Sequence, residues 1–180
     1  MPSRGRVAVP LADGFDDDEF ETVLARLREA GYQVHVIGAG HGTELVGRNH
    51  HVRVTVDRDV ADIRSRDYVG LVLVHAGPYG LEDLPGIAPF VAAFDRFERP
   101  TLVFATSSPL LPSAPADGQP ITHRIRSTSP ATLEQACWAF IDQLERGITD
   151  GRSPALPRAR ATSTAGILPG AEVEFPWNVL

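Results

Sequence analysis

Arg6-Val7-Ala8-Val9-Pro10-Leu11, followed by Asp13-Gly14-Phe15-Asp16-Asp17-Asp18-Glu19, decides how this chain folds. The first run is short and apolar behind its arginine, the pattern of a strand buried on both faces. Phe20, Val23, Leu24 and Leu27 then recur at helical spacing, and Ala30-Gly31 supplies the stop. A strand, an acidic turn and a helix begin an open α/β sheet. Such sheets gather their ligands beyond the carboxyl ends of the strands. The turn therefore aims carboxylates at the place where a site is expected.

The rest of the chain repeats the theme. Val34-His35-Val36-Ile37 reads as a second strand, and Gly38 to Gly47 as a glycine-rich turn region. Val52, Val54 and Val56 alternate with Arg53 and Thr55, the mark of a half-exposed strand in a hairpin or at an edge. Tyr68 to Val74 is nearly all apolar and reads as a central parallel strand. Ile87 to Phe97 is a helix after Pro85-Gly86, and Thr101 to Ala105 another buried strand. Ser108 to Pro120 is a proline-rich loop, Ile121 to Ile125 a short strand, and Pro130 to Arg146 a helix with Ser129 at its N-cap. The order predicts a doubly wound, mostly parallel α/β sheet flanked by helices, a flavodoxin-like sandwich. Three parts are expected: an α/β domain over 1–146, a polar linker over 147–165, and an apolar tail over 166–180. The tail carries Ile167, Leu168, Val173, Phe175, Trp177, Val179 and Leu180, a composition that favours burial, so it is expected to dock on its own or a neighbouring subunit.

Composition excludes several chemistries. The 180 residues suit one domain with a proper core. A net charge of −6 argues against a nucleic-acid partner, because that binding needs cationic side chains to displace counterions. No run of eighteen apolar residues predicts a membrane span, and the N-terminal apolar run is too short for a signal peptide, so the expected location is the cytoplasm. All 17 basic residues are arginine, which removes Schiff-base lysines and the P-loop lysine. The single cysteine, Cys137, lies in an apolar helix and reads as a core residue; it has no partner for a disulfide or a CxxC pair.

The residues that suit chemistry are few. Glu19, at the mouth of the expected cleft, suits a general acid or base if partly desolvated; the competing reading is a solvated or capping acid at a helix N-terminus. His75 follows the central strand and suits a proton carrier or a hydrogen-bonding group, or else a histidine satisfied by loop carbonyls. Thr106, Ser107 and Ser108 offer hydroxyls for substrate, or simply the small residues a tight turn needs; no Gly-x-Ser-x-Gly frame surrounds them. His41, His50 and His51 give a bland surface reading over a metal site, since adjacent histidines on a strand point to opposite faces. His123 and Arg124 lie near the last strand, where they either approach the cleft or do not. Phe175 and Trp177 read as a lid or as a dimer anchor.

Gly14-Phe15-Asp16-Asp17-Asp18-Glu19, with Gly31 twelve residues on in Arg28-Glu29-Ala30-Gly31, resembles the ThiJ/PfpI family of the class I glutamine amidotransferase-like superfamily. The resemblance covers roughly residues 5 to 146. It places Glu19 beneath the family's reactive cysteine. The family's Pro-Gly-Gly turn looks like His75-Ala76-Gly77, and its Cys-x-Gly-Pro elbow like Thr106-Ser107-Ser108-Pro109, or, counted from Pro100, begins at Ala105. Ser129-Pro130-Ala131-Thr132 is similar to the start of the family's last helix. The cysteine is absent in either register, Pro-Gly has become His75-Ala76, and only about twenty residues separate Pro109 from the last helix. Family chemistry that needs a thiolate is therefore not inherited.

Together these readings predict a cofactor-independent acid/base enzyme of the lyase, hydratase, isomerase or cyclase type acting on a small organic metabolite. Glu19, His75 and Thr106 would be catalytic. Asp16, Ala76, Gly77, Tyr79, Ala105, Ser107, Ser108 and Trp177 would bind substrate, with no metal and no cofactor. The resemblance implies a homodimer. The rival expectation is a non-catalytic binding or regulatory protein on the same scaffold, and a weaker third is a hydroxyl-nucleophile hydrolase.

Overall fold

The computed structural model describes residues 3–75, 80–104, 110–111, 123–127 and 129–149. Arg6–Pro10 forms β1, Asp17–Glu29 forms α1 and Gln33–Gly38 forms β2. Glu44–Val46 (β3), Arg53–Thr55 (β4) and Arg58–Asp59 (β5) follow. The second half holds Gly70–Leu73 (β6), Ile87–Arg96 (α2), Thr101–Phe104 (β7), Arg124–Ser127 (β8) and Pro130–Thr149 (α3). Six strands make one sheet in the order β5-β2-β1-β6-β7-β8, every pairing parallel, and β3 with β4 forms a separate antiparallel pair. This is the predicted α/β fold.

The strand residues explain why both faces of the sheet are covered. Side chains alternate along a strand. Val7, Val9, Val72, Leu102 and Phe104 point to one face and join Phe20, Val23 and Leu27 of α1 and Phe140 and Leu144 of α3. Ala8, Ile37, Leu71, Leu73 and Val103 point to the other and pack on Phe90, Val91 and Phe94 of α2. Each large side chain so buried contributes roughly 1.5–3 kcal/mol, which is why a continuous apolar run, and no alternation, marks these strands. Gly31 ends α1 with φ +84°, a conformation that favours glycine.

Several boundaries differ from the sequence reading. Glu44–Val46 was expected in a turn region but is a strand, because it finds Arg53–Thr55 as an antiparallel partner. β5 is only two residues long, too short for any periodicity to show. The last strand lies at Arg124–Ser127, beyond the expected 121–125. Its charged Arg124 masks the strand pattern; in the fold that side chain is almost wholly buried and shares the Asp95 carboxylate of α2 with His123. α3 continues three residues past the expected Arg146, to Thr149. Ser129 stands just before the first residue of α3, as expected, and its hydroxyl lies 3.3 Å from the Thr132 hydroxyl. The Thr132 hydroxyl reaches back, donating to the Ser129 carbonyl (2.9 Å) and accepting from the Ser129 amide (3.3 Å). Cys137 faces the core beneath α3, as expected, and burial pushes its thiol up to about 11.

Candidate functional site

The acidic turn sits at the carboxyl edge of the sheet, between the end of β1 and the first turn of α1. Asp16 caps the helix: its Oδ1 accepts from the Glu19 amide at 3.1 Å. Its Oδ2 accepts from Arg48 Nη2 at 2.6 Å. Burial pushes the Asp16 carboxyl up, but the Glu19 amide and Arg48 together hold it below its ordinary range.

Two reciprocal bonds join this turn to the end of β6. The Asp16 amide donates to the His75 carbonyl at 3.0 Å, and the His75 amide donates to Glu19 Oε2 at 2.9 Å. Glu19 Oε1 has no hydrogen-bond partner among the described residues. Glu19 is half-buried, and that burial raises its carboxyl above the ordinary value. The His75 amide opposes the shift, Asp16 adds to it, and Arg48 opposes it. His75 is half-buried as well. Burial and then the Arg48 charge lower its imidazole, against a weaker pull from Asp16, so the ring is neutral at pH 7. The arrangement sets a carboxyl group of raised pKa against the His75 backbone, with a guanidinium close enough to act on both residues.

The remaining carboxylates of the turn have a different task. Asp17 is fully buried and accepts from the amides of Asn49 (3.0 Å), His50 (3.0 Å) and Val52 (3.1 Å). Burial pushes its carboxyl up, yet these amides more than reverse the effect and hold it at about 2. Asp13 accepts from the Val46 amide at 2.8 Å, and Asp18 pairs with His50 and the Asn49 side chain. The turn that looks solvated in sequence is thus a platform for the 46–52 loop. Gly47 permits the contact: a Cβ there would fall within 2.4 Å of the Asp17 carboxylate atoms. That loop in turn carries Arg48 to Asp16.

Of the expected site residues, Asp16, Glu19 and His75 come together here. Ala76, Gly77, Tyr79, Ala105, Thr106, Ser107, Ser108 and Trp177 lie outside the described residues, as do the tail and most of the linker. β7 ends at Phe104 at this same edge of the sheet, one pairing beyond Leu73↔Val103. His123 and Arg124 do not approach the cleft. They lie at the amino ends of the strands, where the His123 carbonyl accepts from the Thr101 amide at 2.8 Å and both side chains hold Asp95. His50 and His51 are in the loop before β4 and not on a strand; His51 has φ +55°. Arg48 and the burial of Asp17 escaped the sequence reading. Both depend on contacts across more than thirty residues, and no local spacing signals them.

The DJ-1/PfpI family model matches residues 5–108. An uncharacterized protein of Staphylococcus haemolyticus is 35% identical over 68 residues, which is 38% of this chain and 39% of that protein. One of Staphylococcus epidermidis is 38% identical over the same proportions. The chain thus spans about 39% of the length of the curated relatives it matches. Among solved structures, a ThiJ/PfpI domain protein from Brachyspira murdochii superposes with a TM-score of 0.66 at 11% identity, covering 81% of this chain and 99% of that one. Drosophila melanogaster DJ-1beta gives 0.61 at 15% identity, covering 82% and 98%. At these identities the structural likeness is one of fold.

Proposed function

The chain belongs to the DJ-1/PfpI family, and from that membership and its missing thiol we propose a cofactor-independent acid/base enzyme acting on a small organic metabolite. The observation that carries this reading is the Glu19 carboxyl group: half-buried, raised in pKa, with Oε2 fixed by the His75 amide and Oε1 left for another partner. A carboxyl so held is suited to take a proton from an acidic C–H or O–H and return it elsewhere on the same molecule. Arg48 stabilises negative charge that develops during the transfer, and neutral His75 orients a carbonyl by hydrogen bonding. The reaction class is a lyase, hydratase, isomerase or cyclase step. Thr106, Ser107 and Ser108 are assigned substrate hydrogen bonds on sequence grounds alone.

The rival reading, a binding or regulatory protein, gains support from one fact. The bond from His75 to Glu19 ties two elements together, so Glu19 has a structural use without any chemistry. Glu19→Gln separates the two, because the amide oxygen can still accept from His75 but the group no longer exchanges a proton. Wild type and variant are incubated in D2O with a panel of enolisable carbonyl compounds and hydroxy acids, and NMR reads deuterium incorporation. The expected loss in the variant is about 10²–10⁴-fold at unchanged stability. Equal incorporation by both proteins, or none by the wild type, sinks the enzyme reading.

A further inference from the structure

A groove of about 260 Å³ lies between the end of α1 and the second half of α3, remote from the candidate site. It is lined by the apolar side chains of Ala30, Trp138 and Ile141 and by the charged Arg4, Glu29, Asp142 and Glu145. Trp138, Ile141 and Glu145 are spaced by three and four residues, so they form one stripe along α3. Trp138 is 47% exposed, one of two large apolar side chains so exposed among the described residues, and Arg26 lies 5.8 Å from the centre of its ring. Such an exposed indole beside an apolar cavity marks a surface made for contact.

We propose that the apolar segment 166–180 of the same chain docks in this groove, with Phe175 and Trp177 as its anchors. Two observations select this occupant. First, α3 ends at Thr149, one turn past Glu145, so the chain leaves the helix at the groove itself. Trp138 is only about 16 Å back along the helix, and the sixteen residues 150–165 reach about 50 Å when extended. Second, the segment is apolar enough to need cover, and a tethered segment binds its near neighbour at high effective concentration. The candidate site is farther: α3 runs back from the sheet edge that holds it, about 30 Å for twenty residues.

The chain has two tryptophans, so labelling the full-length protein with 5-fluorotryptophan gives two ¹⁹F signals, and Trp177→Phe assigns them. Phe175→Asp in the tail and Ala30→Arg in the groove are compared with wild type. Docking predicts that both variants shift the Trp138 signal and move Trp177 toward the position of free fluorotryptophan, independently of protein concentration. An unmoved Trp138 signal in Phe175→Asp overturns the proposal. So does a Trp138 shift that disappears on dilution, which places the segment on a second copy. A Trp177 signal that responds to Arg48→Ala but not to Ala30→Arg also overturns it, because the segment then covers the other end of the domain.

Discussion

Asp17 shows how far a residue's surroundings can invert its apparent role. In sequence it is one of three consecutive aspartates, which reads as a solvated face; in the fold it is fully buried and bound by three amides. Its folded pKa of about 2 lies below the ordinary 3.8, so the folded state binds the proton less tightly than the unfolded chain. Its contribution is therefore present above pH 4 and lost as pH falls from about 4 through about 2. The size is on the order of 1–2 kcal/mol, discounted because the 46–52 loop that covers it is itself at the surface and open to solvent screening. Urea titrations at pH 6 and pH 3 should show wild type losing more stability than Asp17→Asn, by about half of that amount. Parallel losses in the two proteins contradict the assignment. Glu19, in the same first turn of α1, shifts in the opposite direction because burial outweighs its single amide bond. Nothing in the letters of the acidic turn separates these two outcomes; the number of amides that reach each carboxylate does.

Among the elements, β8 is the one whose existence depends most on a distant partner. Its Arg124 is nearly buried, and Arg124 Nε donates to Asp95 Oδ1 at 2.8 Å while His123 Nε2 lies 2.9 Å from the same atom. Alternation of apolar residues is weak across Arg124–Ser127, so the strand is held by its parallel pairing with β7 and by this charge cluster. Asp95→Ala removes the carboxylate while leaving the guanidinium buried, which should cost about 3 kcal/mol and loosen β8 and the start of α3 before the rest of the sheet. Amide exchange by mass spectrometry checks this. Protection unchanged over 124–133 would show that the cluster does not hold the strand. The other elements were readable for a plain reason: a strand buried on both faces must be apolar throughout, and a helix on a sheet must be apolar along one stripe. β4 showed in the alternation of Val52, Val54 and Val56, whereas β3 and β5 carry too few residues for either pattern to rise above their neighbours.

For the molecule as a whole, the single cysteine reports on integrity. Cys137 is buried in the core between α3 and the sheet, and burial pushes its thiol up to about 11, so it is neither ionised nor accessible at neutral pH. Alkylation by iodoacetamide at pH 8 should proceed only at the rate of global unfolding and accelerate in step with urea denaturation. Rapid labelling of the native protein would mean that α3 opens locally, away from the packing described. Such burial also separates this chain from any thiolate chemistry on the same scaffold. The apolar runs, the helical stripes and their order along the chain were enough to determine the α/β architecture, because burial demands are written locally in residue type. The tertiary structure alone decided that Arg48 meets Asp16, that Asp17 is a buried anchor, that Glu19 is raised while its neighbour is lowered, and that His123 and Arg124 sit at the far edge. Those are consequences of which amides and charges converge across twenty-eight or more residues of chain, and electrostatic environment is a property of that convergence, not of any residue's identity.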